Sequence, residues 1–274
     1  MGRLGELHRT AFVSGASAGL GRAFSLMLLE EGVRVWGSSR DVSRLAELSS
    51  AHPGAFFPVT LDLADADGAL RAFTSASGAA GGGFDLVINN AGYGVFGEFA
   101  AVDAAVWRSQ VGAMLGAVLT ISHAAFRSMR GRDRGCLVHV SSLAAEFPLP
   151  YMSGYNVAKA GLSALSESLM FESRGSAVRV IDFRPGDYRT NFNRAMQNDS
   201  ASDSTRGAWS ALEAALAAAP RPERAARDLR RALIAGRSGV VRSGSFFQAR
   251  LAPALARLLP RSWVRAATAR YFGG

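Results

Sequence analysis

Short apolar runs alternate along the chain with longer stretches whose apolar residues recur at helical spacing. The runs are rich in Val, Ile and Phe without strict apolar–polar alternation, which is typical of parallel strands buried on both faces. Strands are predicted at Thr10–Ser14, Val33–Gly37, Ala55–Thr60, Asp85–Asn89, Cys136–Ser141, Val178–Phe183 and Val240–Arg242, and helices at Leu20–Glu31, Val42–Ser49, Ala104–Met129 and Ser153–Ser173. This alternation predicts an α/β fold, with a doubly wound, parallel, seven-stranded sheet covered by helices on both faces.

The chain shows no internal repeat and no second apolar core, so we predict one domain. Gly78–Gly83 is expected to be a flexible connector, and Asn198–Thr205 a mobile loop before an Ala-rich helix around Trp209–Ala218. We assign residues 1–243 to the α/β domain, with a lid at about 187–220. Residues 244–274, here called the C-terminal arm, form a basic helical extension packed on or beside that domain.

The cysteine content and the apolar runs indicate the cellular compartment. The single Cys136 cannot form an internal disulfide, which fits a reducing compartment, and we expect it to be a buried small hydrophobe. No run of 18 uncharged apolar residues occurs, and the first nine residues contain no apolar stretch, so neither a membrane span nor a signal peptide is predicted. A cytoplasmic protein is the expectation.

The net charge of +9 is concentrated at the end of the chain. Residues 221–274 contain 12 Arg against Glu223 and Asp228, whereas residues 1–220 contain 19 basic and 20 acidic groups. Within the arm, Arg250, Arg257, Arg261 and Arg265 fall in one helical sector, and Pro253 and Pro260 are expected to divide it into two short helices. We expect it to pack on the domain or on a partner subunit. Weak contact with anionic lipid is the alternative, and nucleic-acid binding is not expected.

A glycine-rich turn follows the first predicted strand and precedes a helix. Its sequence is Ser14-Gly15-Ala16-Ser17-Ala18-Gly19-Leu20-Gly21. Glycines allow a tight turn and close approach of a pyrophosphate, and a helix N-terminus offers free N–H groups and a positive dipole end. The pattern favours a dinucleotide site over a tight turn without a ligand.

The end of the second strand indicates which dinucleotide. An acidic residue there binds a ribose 2′-hydroxyl, whereas an Arg accommodates a 2′-phosphate. Ser39 stands at the expected acidic position and Arg40 follows it. NADP(H) is therefore expected over NAD(H), the alternative being that Arg40 pairs with Asp41 or Glu30 in solvent.

Lys159 is the only lysine among 31 basic residues, and the other 30 are arginine. This indicates that Lys159 occupies a position where arginine cannot serve. An ammonium is a compact point charge, unlike the planar guanidinium. Tyr155 lies four residues earlier, on the same face of a predicted helix. A phenol beside an ammonium is a candidate acid–base pair.

These motifs together resemble the short-chain dehydrogenase/reductase family, in its single-domain Tyr-x-x-x-Lys type, from about Thr10 to Thr190. The resemblance implies a Rossmann-like fold and the catalytic residues Ser142, Tyr155 and Lys159. Asp62-Leu63 would contact the adenine, Asn89-Asn90-Ala91-Gly92 would shape the cofactor wall, and Pro185-Gly186 to Thr190 would hold the nicotinamide amide. The implied cofactor-binding residues are Ser14, Gly15, Ser17, Ala18, Gly19, Leu20, Gly21, Ser39, Arg40, Asp62, Leu63, Asn90, Ala91, Gly92, Tyr155, Lys159, Pro185, Gly186 and Thr190.

The resemblance also implies a mechanism. Tyr155 would exchange a proton with a carbonyl or alcohol, while Lys159 lowers the phenol pKa and binds the nicotinamide ribose hydroxyls. Ser142 would hydrogen-bond the substrate oxygen. Ser141 is the neighbouring candidate, but adjacent strand residues point to opposite faces. The chain departs from the family at the helical Asn that anchors a proton-relay water, because Met114, or Ala113 by another count, stands there.

The substrate is less clearly indicated. The loops beyond the strand ends are apolar, and Tyr93, Leu143, Phe147, Tyr151, Phe192 and Met196 are candidate substrate-binding residues. We predict an NADP(H)-dependent oxidoreductase that interconverts a ketone or aldehyde and an alcohol on a fairly apolar substrate. The alternative is a nucleotide-binding regulatory protein with weak or no turnover. No metal site is predicted, and the family commonly forms dimers or tetramers through the helices that here carry Val111–Ala125 and Ala160–Leu169.

Overall fold

The computed structural model describes residues 4–192, 196–198, 203–256 and 258–271. Seven parallel strands form the main sheet in the order β3-β2-β1-β4-β6-β7-β9, and β5 and β8 form a separate parallel pair. The strands are β1 Thr10–Val13, β2 Arg34–Ser39, β3 Phe56–Thr60, β4 Leu86–Asn89, β5 Val95–Phe96, β6 Gly135–Val140, β7 Val178–Pro185, β8 Gln197–Asn198 and β9 Gly239–Ser243. All seven predicted strands are confirmed within about two residues at their ends, as is the fold class.

Helices cover both faces of this sheet. They are α1 Leu4–Leu7, α2 Gly19–Glu30, α3 Ala46–Ala51, α4 Ala66–Ala79, α5 Ala104–Val111, α6 Ala117–Gly131, α7 Ser153–Glu172, α8 Asp203–Ala218, α9 Pro222–Ala235, α10 Ala252–Ala256 and α11 Arg261–Tyr271. Short 3₁₀ turns occupy Val42–Leu45 and Leu143–Ala145, and π-helical turns occupy Gly112–Gly116 and Phe247–Leu251. The predicted helix Ala104–Met129 is therefore one long helix with a π turn at its middle.

Two apolar layers hold the helices to the sheet. On one face, Phe24 of α2 and Leu229 of α9 pack against strand residues such as Phe183, whose ring meets that of Phe24 edge-on at 5.7 Å. On the other face, Phe12 of β1 packs edge-on against Phe73 of α4 at 5.0 Å, and Ile121 of α6 completes the layer. Because both faces are covered, the central strands need apolar residues at consecutive positions, which explains their lack of alternation.

Several expected boundaries differ from the structure. Gly78 lies inside α4, so the connector to β4 is shorter than predicted. Asn198 belongs to β8 and Thr205 to α8, and only residues 199–202 of that predicted loop lie outside the described residues. Pro253 does not interrupt the arm. It follows directly on the π-helical turn Phe247–Leu251, at the second residue of α10, and only Pro260 separates two helices.

The long helix Ala104–Gly131 is the one segment of the described residues whose length and composition would allow it to cross a membrane. The core helix of a soluble protein passes the same test. Val118, Ile121 and Met129 of this helix are fully buried in the domain, and 39% of its most apolar 18-residue window is buried.

The strand order places the site. The chain moves outward from β1 to β2 and β3, and then returns to the other side of β1 with β4. At such a reversal the connections leaving the carboxyl ends of β1 and β4 diverge to opposite faces and open a crevice between them. The glycine-rich turn after β1 and the Asn-Asn-Ala-Gly segment after β4 border this crevice.

Candidate active site

The glycine-rich turn is shaped by contacts that exclude a side chain. Gly19 has φ +54, in the left-handed region, and a Cβ on Gly21 would lie 2.1 Å from the carbonyl oxygen of Gly15. Ala18 precedes α2 in extended conformation and caps it with no side-chain hydrogen bond. The first N–H groups of α2 therefore remain available to an anion at this end of the helix.

Ser14 ties this turn to the segment after β4. Its hydroxyl oxygen accepts hydrogen bonds from the backbone N–H groups of Asn90 and Ala91, at 2.9 and 3.0 Å, and the Asn90 amide donates to the Ser14 carbonyl oxygen at 2.9 Å. Asn89 is buried and donates to Ser122 at 3.0 Å. Ser14 and Gly21 thus shape the turn behind the cavity wall, while Asn90, Ala91 and Gly92 line the wall.

Polar and basic residues surround the far end of the same cavity. Ser39 and Arg40 line it together with Asp62 and Leu63, and Arg44, which the sequence analysis did not identify, joins them from the turn after β2. Asp41 turns toward Ser43, and the two hydrogen bonds from Ser43 lower the pKa of Asp41. Among the described residues no carboxylate forms an ion pair with Arg40, so the alternative pairing with Asp41 or Glu30 is absent.

Ser142, Tyr155 and Lys159 lie together on the cavity wall. Ser142 is the second residue after β6. Its hydroxyl accepts a hydrogen bond from the Ala144 N–H at 3.0 Å and also hydrogen-bonds Tyr155. Tyr155 and Lys159 are on the first two turns of α7, and the Lys159 nitrogen lies 5.6 Å from the centre of the Tyr155 ring. The spacing of four residues brings the phenol and the ammonium to one face, as predicted.

The pKa of Tyr155 contradicts the sequence expectation. We expected Lys159 to lower it, but the pKa is raised to about 12, because burial disfavours the phenolate more strongly than the hydrogen bond from Ser142 favours it. Asp187 adds a smaller repulsion of the phenolate. Proximity of an ammonium could be read from spacing, whereas the desolvation of the phenol could not.

Lys159 is itself buried. Its ammonium donates to the carbonyl oxygen of Val140 at 2.7 Å. Burial lowers the pKa of Lys159 to about 8, and the charge of Asp182 opposes this shift. Burial thus brings the pKa of Lys159 down toward the neutral range.

Asp182 belongs to a buried polar network behind the trio. It is fully buried on β7 and accepts hydrogen bonds from Ser141, from Ser163 at 2.7 Å and from Arg184 at 2.7 Å. Ser141 therefore turns away from Tyr155 to bind Asp182, whereas Ser142 meets Tyr155, as alternation predicts. The network continues through Arg184 to Glu146, at 2.7 Å, in the loop after β6.

Met114 is one of the two residues, with Ala113, that stand where the relay Asn was expected. It lies in the π-helical turn between α5 and α6, is 1% exposed, and its sulfur accepts from the Tyr93 N–H at 3.5 Å. A Cβ on Gly92 would lie 2.9 Å from the Met114 terminal methyl and 3.7 Å from the Lys159 ammonium. The Met114 methyl and the Lys159 ammonium therefore both border Gly92, on the wall that Ala113 also lines.

The cavity has a volume of about 1290 Å³ and extends from the glycine-rich turn past Tyr155. Of the candidate substrate residues, Tyr93, Leu143, Phe147 and Phe192 line it. The other two pack in an apolar cluster with α8, with Tyr151 against the ring of Phe96 at 5.6 Å and Met196 buried beside Leu212.

Two features of the cavity wall were not predicted from the local sequence: the role of Asn156 in holding Leu149, and the lining by the C-terminal arm. Asn156 holds the loop after β6, because its amide accepts from the Leu149 N–H at 3.0 Å and donates to the Leu149 carbonyl at 2.8 Å. The C-terminal arm also lines the cavity, through Phe247, Gln248, Ala252, Leu255, Ala256, Leu259, Val264, Ala267 and Thr268.

The sequence matches the profile of the short chain dehydrogenase family over residues 9–201. It is 39% identical over 186 residues to an uncharacterized oxidoreductase of Myxococcus xanthus, covering 65% of this chain and 72% of that protein. It is 30% identical over 178 residues to a probable NADP-dependent dehydrogenase of Haemophilus influenzae, covering 65% of this chain and 70% of that protein.

Solved structures agree with the fold. A short-chain dehydrogenase from Streptomyces avermitilis superposes with a TM-score of 0.81 at 24% identity, covering 94% of this chain and 97% of the other. A short-chain dehydrogenase/reductase from Burkholderia phymatum in complex with NAD has a TM-score of 0.80 at 23% identity, with coverage of 91% and 92%. A metagenomic short-chain oxidoreductase in complex with NADP has a TM-score of 0.67 at 28% identity, with coverage of 85% and 96%.

Proposed function

Because the chain belongs to the short-chain dehydrogenase/reductase family of NAD(P)-dependent oxidoreductases, we propose that it interconverts a ketone or aldehyde and an alcohol with NADP(H). The observation that carries the proposal is the placement of Ser142, Tyr155 and Lys159 on one cavity with the glycine-rich turn. A phenol, a hydroxyl and a buried ammonium there form an acid–base unit beside a dinucleotide-shaped crevice.

The residues present fit a dinucleotide. The uncapped start of α2 and the close approach at Gly21 suit a pyrophosphate, and Asp62 and Leu63 line the part of the cavity assigned to adenine. Asn90, Ala91, Gly92, Pro185, Gly186 and Thr190 would border the nicotinamide half. When bound, the nicotinamide supplies or accepts the hydride.

Arg40 and Arg44 support NADP(H) as the cofactor. Both lie at the cavity end beyond β2, and Ser39 stands where an acidic side chain would select the 2′-hydroxyl. Two guanidinium groups without a carboxylate partner in ion-pair contact suit a 2′-phosphate, which they can bind with charge-assisted hydrogen bonds. The NADP-dependent name of the Haemophilus influenzae relative points the same way.

Proton transfer is assigned to Tyr155. In the reducing direction its hydroxyl donates to the substrate oxygen, and Ser142 hydrogen-bonds the same oxygen as charge develops on it. The raised pKa of Tyr155 keeps the phenol protonated before reaction. Lys159 stabilises the phenolate that forms and would hydrogen-bond the ribose hydroxyls of the nicotinamide half.

An apolar substrate is supported by the wall opposite these groups. Leu143, Phe147, Leu149 and Phe192 line it, and Leu212 and Leu216 of α8 close it from the lid. Such a surface gains free energy by covering apolar area of the substrate, with only a few polar groups left to orient the carbonyl.

A homodimer or homotetramer through α6 and α7 is also proposed. Leu119 on α6 and Val157 on α7 are about half exposed in the single chain, which fits helices that pack against a second subunit.

The proposal is tested by screening carbonyls and alcohols with NADPH, NADH and their oxidised forms. We expect NADPH oxidation with apolar ketones or aldehydes, and weaker rates with small charged keto acids. Tight cofactor binding with no turnover of any carbonyl would instead favour the regulatory alternative, for which the methionine at position 114 is the one supporting observation.

A further inference from the structure

The C-terminal arm has an inner face that lines the cavity and an outer face that is exposed. Its inner face lines the active-site cavity, with Leu255, Leu259 and Val264 contributing apolar side chains. The arm is anchored to the segment after β7 by Gln248, whose amide donates to Asp187 at 2.5 Å. The arm is therefore part of the wall between the reacting groups and the outside.

The outer face of the arm is apolar and exposed. Four large apolar side chains of the arm, Phe246, Leu251, Leu258 and Trp263, are exposed and lie outside the cavity lining. Phe246, Leu258 and Trp263 are 71%, 83% and 66% exposed, and they do not line the cavity. Exposed apolar groups concentrated in so short a segment indicate an interaction surface.

The same segment carries positive charge only. The arm contains Arg250, Arg257, Arg261, Arg265 and Arg270, and the chain has no acidic residue after Asp228. Arg250, Arg265 and Arg270 are exposed, and no described carboxylate lies within ion-pair distance of them. Arginines beside exposed Trp, Phe and Leu are typical of an element lying in the interface of an anionic bilayer.

We propose that the C-terminal arm docks the enzyme on an anionic lipid bilayer and that the apolar carbonyl or alcohol enters the cavity from that bilayer. Trp263, Phe246 and Leu258 enter the headgroup region, and the arginines meet the anionic headgroups. The inner face then forms a continuous apolar path from the membrane to Tyr155. The substrate part of this proposal rests on the proposed function, whereas the docking part does not.

A bilayer fits this surface better than a second copy of the chain. A two-fold dimer places the same patch of both copies against itself, so that the exposed Arg250, Arg265 and Arg270 of one copy would face those of the other, with no acidic residue after Asp228 to pair with them. An anionic membrane supplies the missing charge and covers the apolar residues at once.

The test uses the full chain and sedimentation with vesicles of phosphatidylcholine, with and without one third phosphatidylglycerol. We expect binding to the anionic vesicles, weakened by added salt, and little binding to the neutral ones. Replacing Arg250, Arg265 and Arg270 by Glu should lower the anionic partition coefficient by at least about tenfold. Changing Phe246, Leu258 and Trp263 to Ser should also lower it, without altering the charge.

The matched control replaces three exposed arginines elsewhere, Arg71, Arg127 and Arg237, by Glu, which changes the net charge equally. This control should retain most of the binding. Circular dichroism and turnover of a water-soluble carbonyl without vesicles report whether each variant is folded. Retained binding in the arm variants, or an equal loss in the control, would overturn the docking proposal.

The oligomeric state of the protein shows whether a second copy of the chain, instead of a membrane, covers the outer face of the arm. Failure of the wild-type chain to bind anionic vesicles, together with a dimer that dissociates in the arm variants, would overturn the proposal in favour of a second copy. For the substrate part, a long-chain ketone should be reduced several times faster in anionic than in neutral vesicles by the wild type only. Vesicle binding without turnover of any carbonyl would leave docking intact and refute the proposed function instead.

Discussion

The ammonium of Lys159 lies 2.7 Å from the carbonyl oxygen of Val140, at the last residue of β6. This hydrogen bond fixes the lysine to the sheet at the strand end that also leads to Ser142. Burial favours the neutral amine of Lys159, whereas the hydrogen bond to the Val140 carbonyl and the nearby charge of Asp182 favour the ammonium. The lone lysine of the chain is thus positioned by the sheet as well as by its helix.

The pKa of Lys159, about 8, predicts a pH dependence. Reduction needs the ammonium charged to stabilise the phenolate of Tyr155, so kcat/KM should be level below pH 8. It should fall by about tenfold per pH unit above that value, as the ammonium loses its proton. Steady-state rates across pH 6 to 10 measure this, and a profile that rises through pH 8 would contradict it.

Asp182 should determine the pH at which kcat/KM begins to decrease. Its charge raises the pKa of Lys159, so Asp182→Asn is expected to move the descending limb to lower pH. Glu167→Gln is the matched control, because Glu167 also contacts Arg184 but is more than half exposed. If both variants shift the limb equally, or neither does, Asp182 does not act through Lys159.

Met114 and Lys159 both border Gly92, and an Asn at position 114 would bring an amide oxygen, a hydrogen-bond acceptor, to this wall. We expect Met114→Asn to raise kcat for reduction and to move the descending limb to higher pH, since an acceptor stabilises the charged lysine. Met114→Leu, which keeps the apolar volume, should change neither. An unaltered rate and profile in a folded Met114→Asn protein would mean that the proton passes by another route.

The sequence was sufficient to predict what depends on spacing and local chemistry. All seven strands and the burial of Cys136 follow from apolar runs, and the shared face of Tyr155 and Lys159 follows from their spacing of four residues. The place of Ser142 beside them came from the family resemblance, with strand alternation favouring it over Ser141. Periodicity within one element is preserved on folding, which is why these predictions hold.

Features that depend on tertiary packing could not be predicted. The raised pKa of Tyr155 results from burial of the phenol, which depends on the folded surroundings and not on the spacing to Lys159. The arm lines the cavity through residues of α10 and α11, and nothing in their own sequence specifies which surface of the domain they cover. The placement of Arg44 at the cavity depends likewise on the 3₁₀ turn after β2.

Arg40 should determine cofactor choice. Arg40→Ala is expected to weaken NADPH binding by about 10- to 100-fold, the worth of a charge-assisted hydrogen bond, and to leave NADH binding nearly unchanged. Fluorescence titration of both cofactors checks this, with the exposed Arg71→Ala as control. Tighter binding of NADH than NADPH by the wild type would refute the NADP assignment.

His139 predicts a pH dependence of stability. It is fully buried, with its ring nitrogens 2.8 Å from the hydroxyls of Ser122 and Ser166, and burial lowers its pKa to about 4. The unfolded chain therefore binds the proton at higher pH, and the native state loses stability as pH falls from 6.5 to 4. The loss is on the order of 3 kcal/mol.

Denaturant unfolding at several pH values measures this loss. His139→Gln should be less stable at pH 7 and should lose less further stability on acidification, whereas replacing the exposed His123 should leave the pH slope as in the wild type. An identical slope in His139→Gln would contradict the assignment.

The most direct test of the central claim is the rate of NADPH oxidation by wild-type protein and by Tyr155→Phe with the best carbonyl from the screen. The phenylalanine keeps the ring and removes only the hydroxyl that donates the proton. We predict that the rate falls by about 10² to 10⁴ while NADPH affinity remains nearly unchanged. A Tyr155→Phe protein that retains the wild-type rate would show that proton transfer does not depend on this phenol.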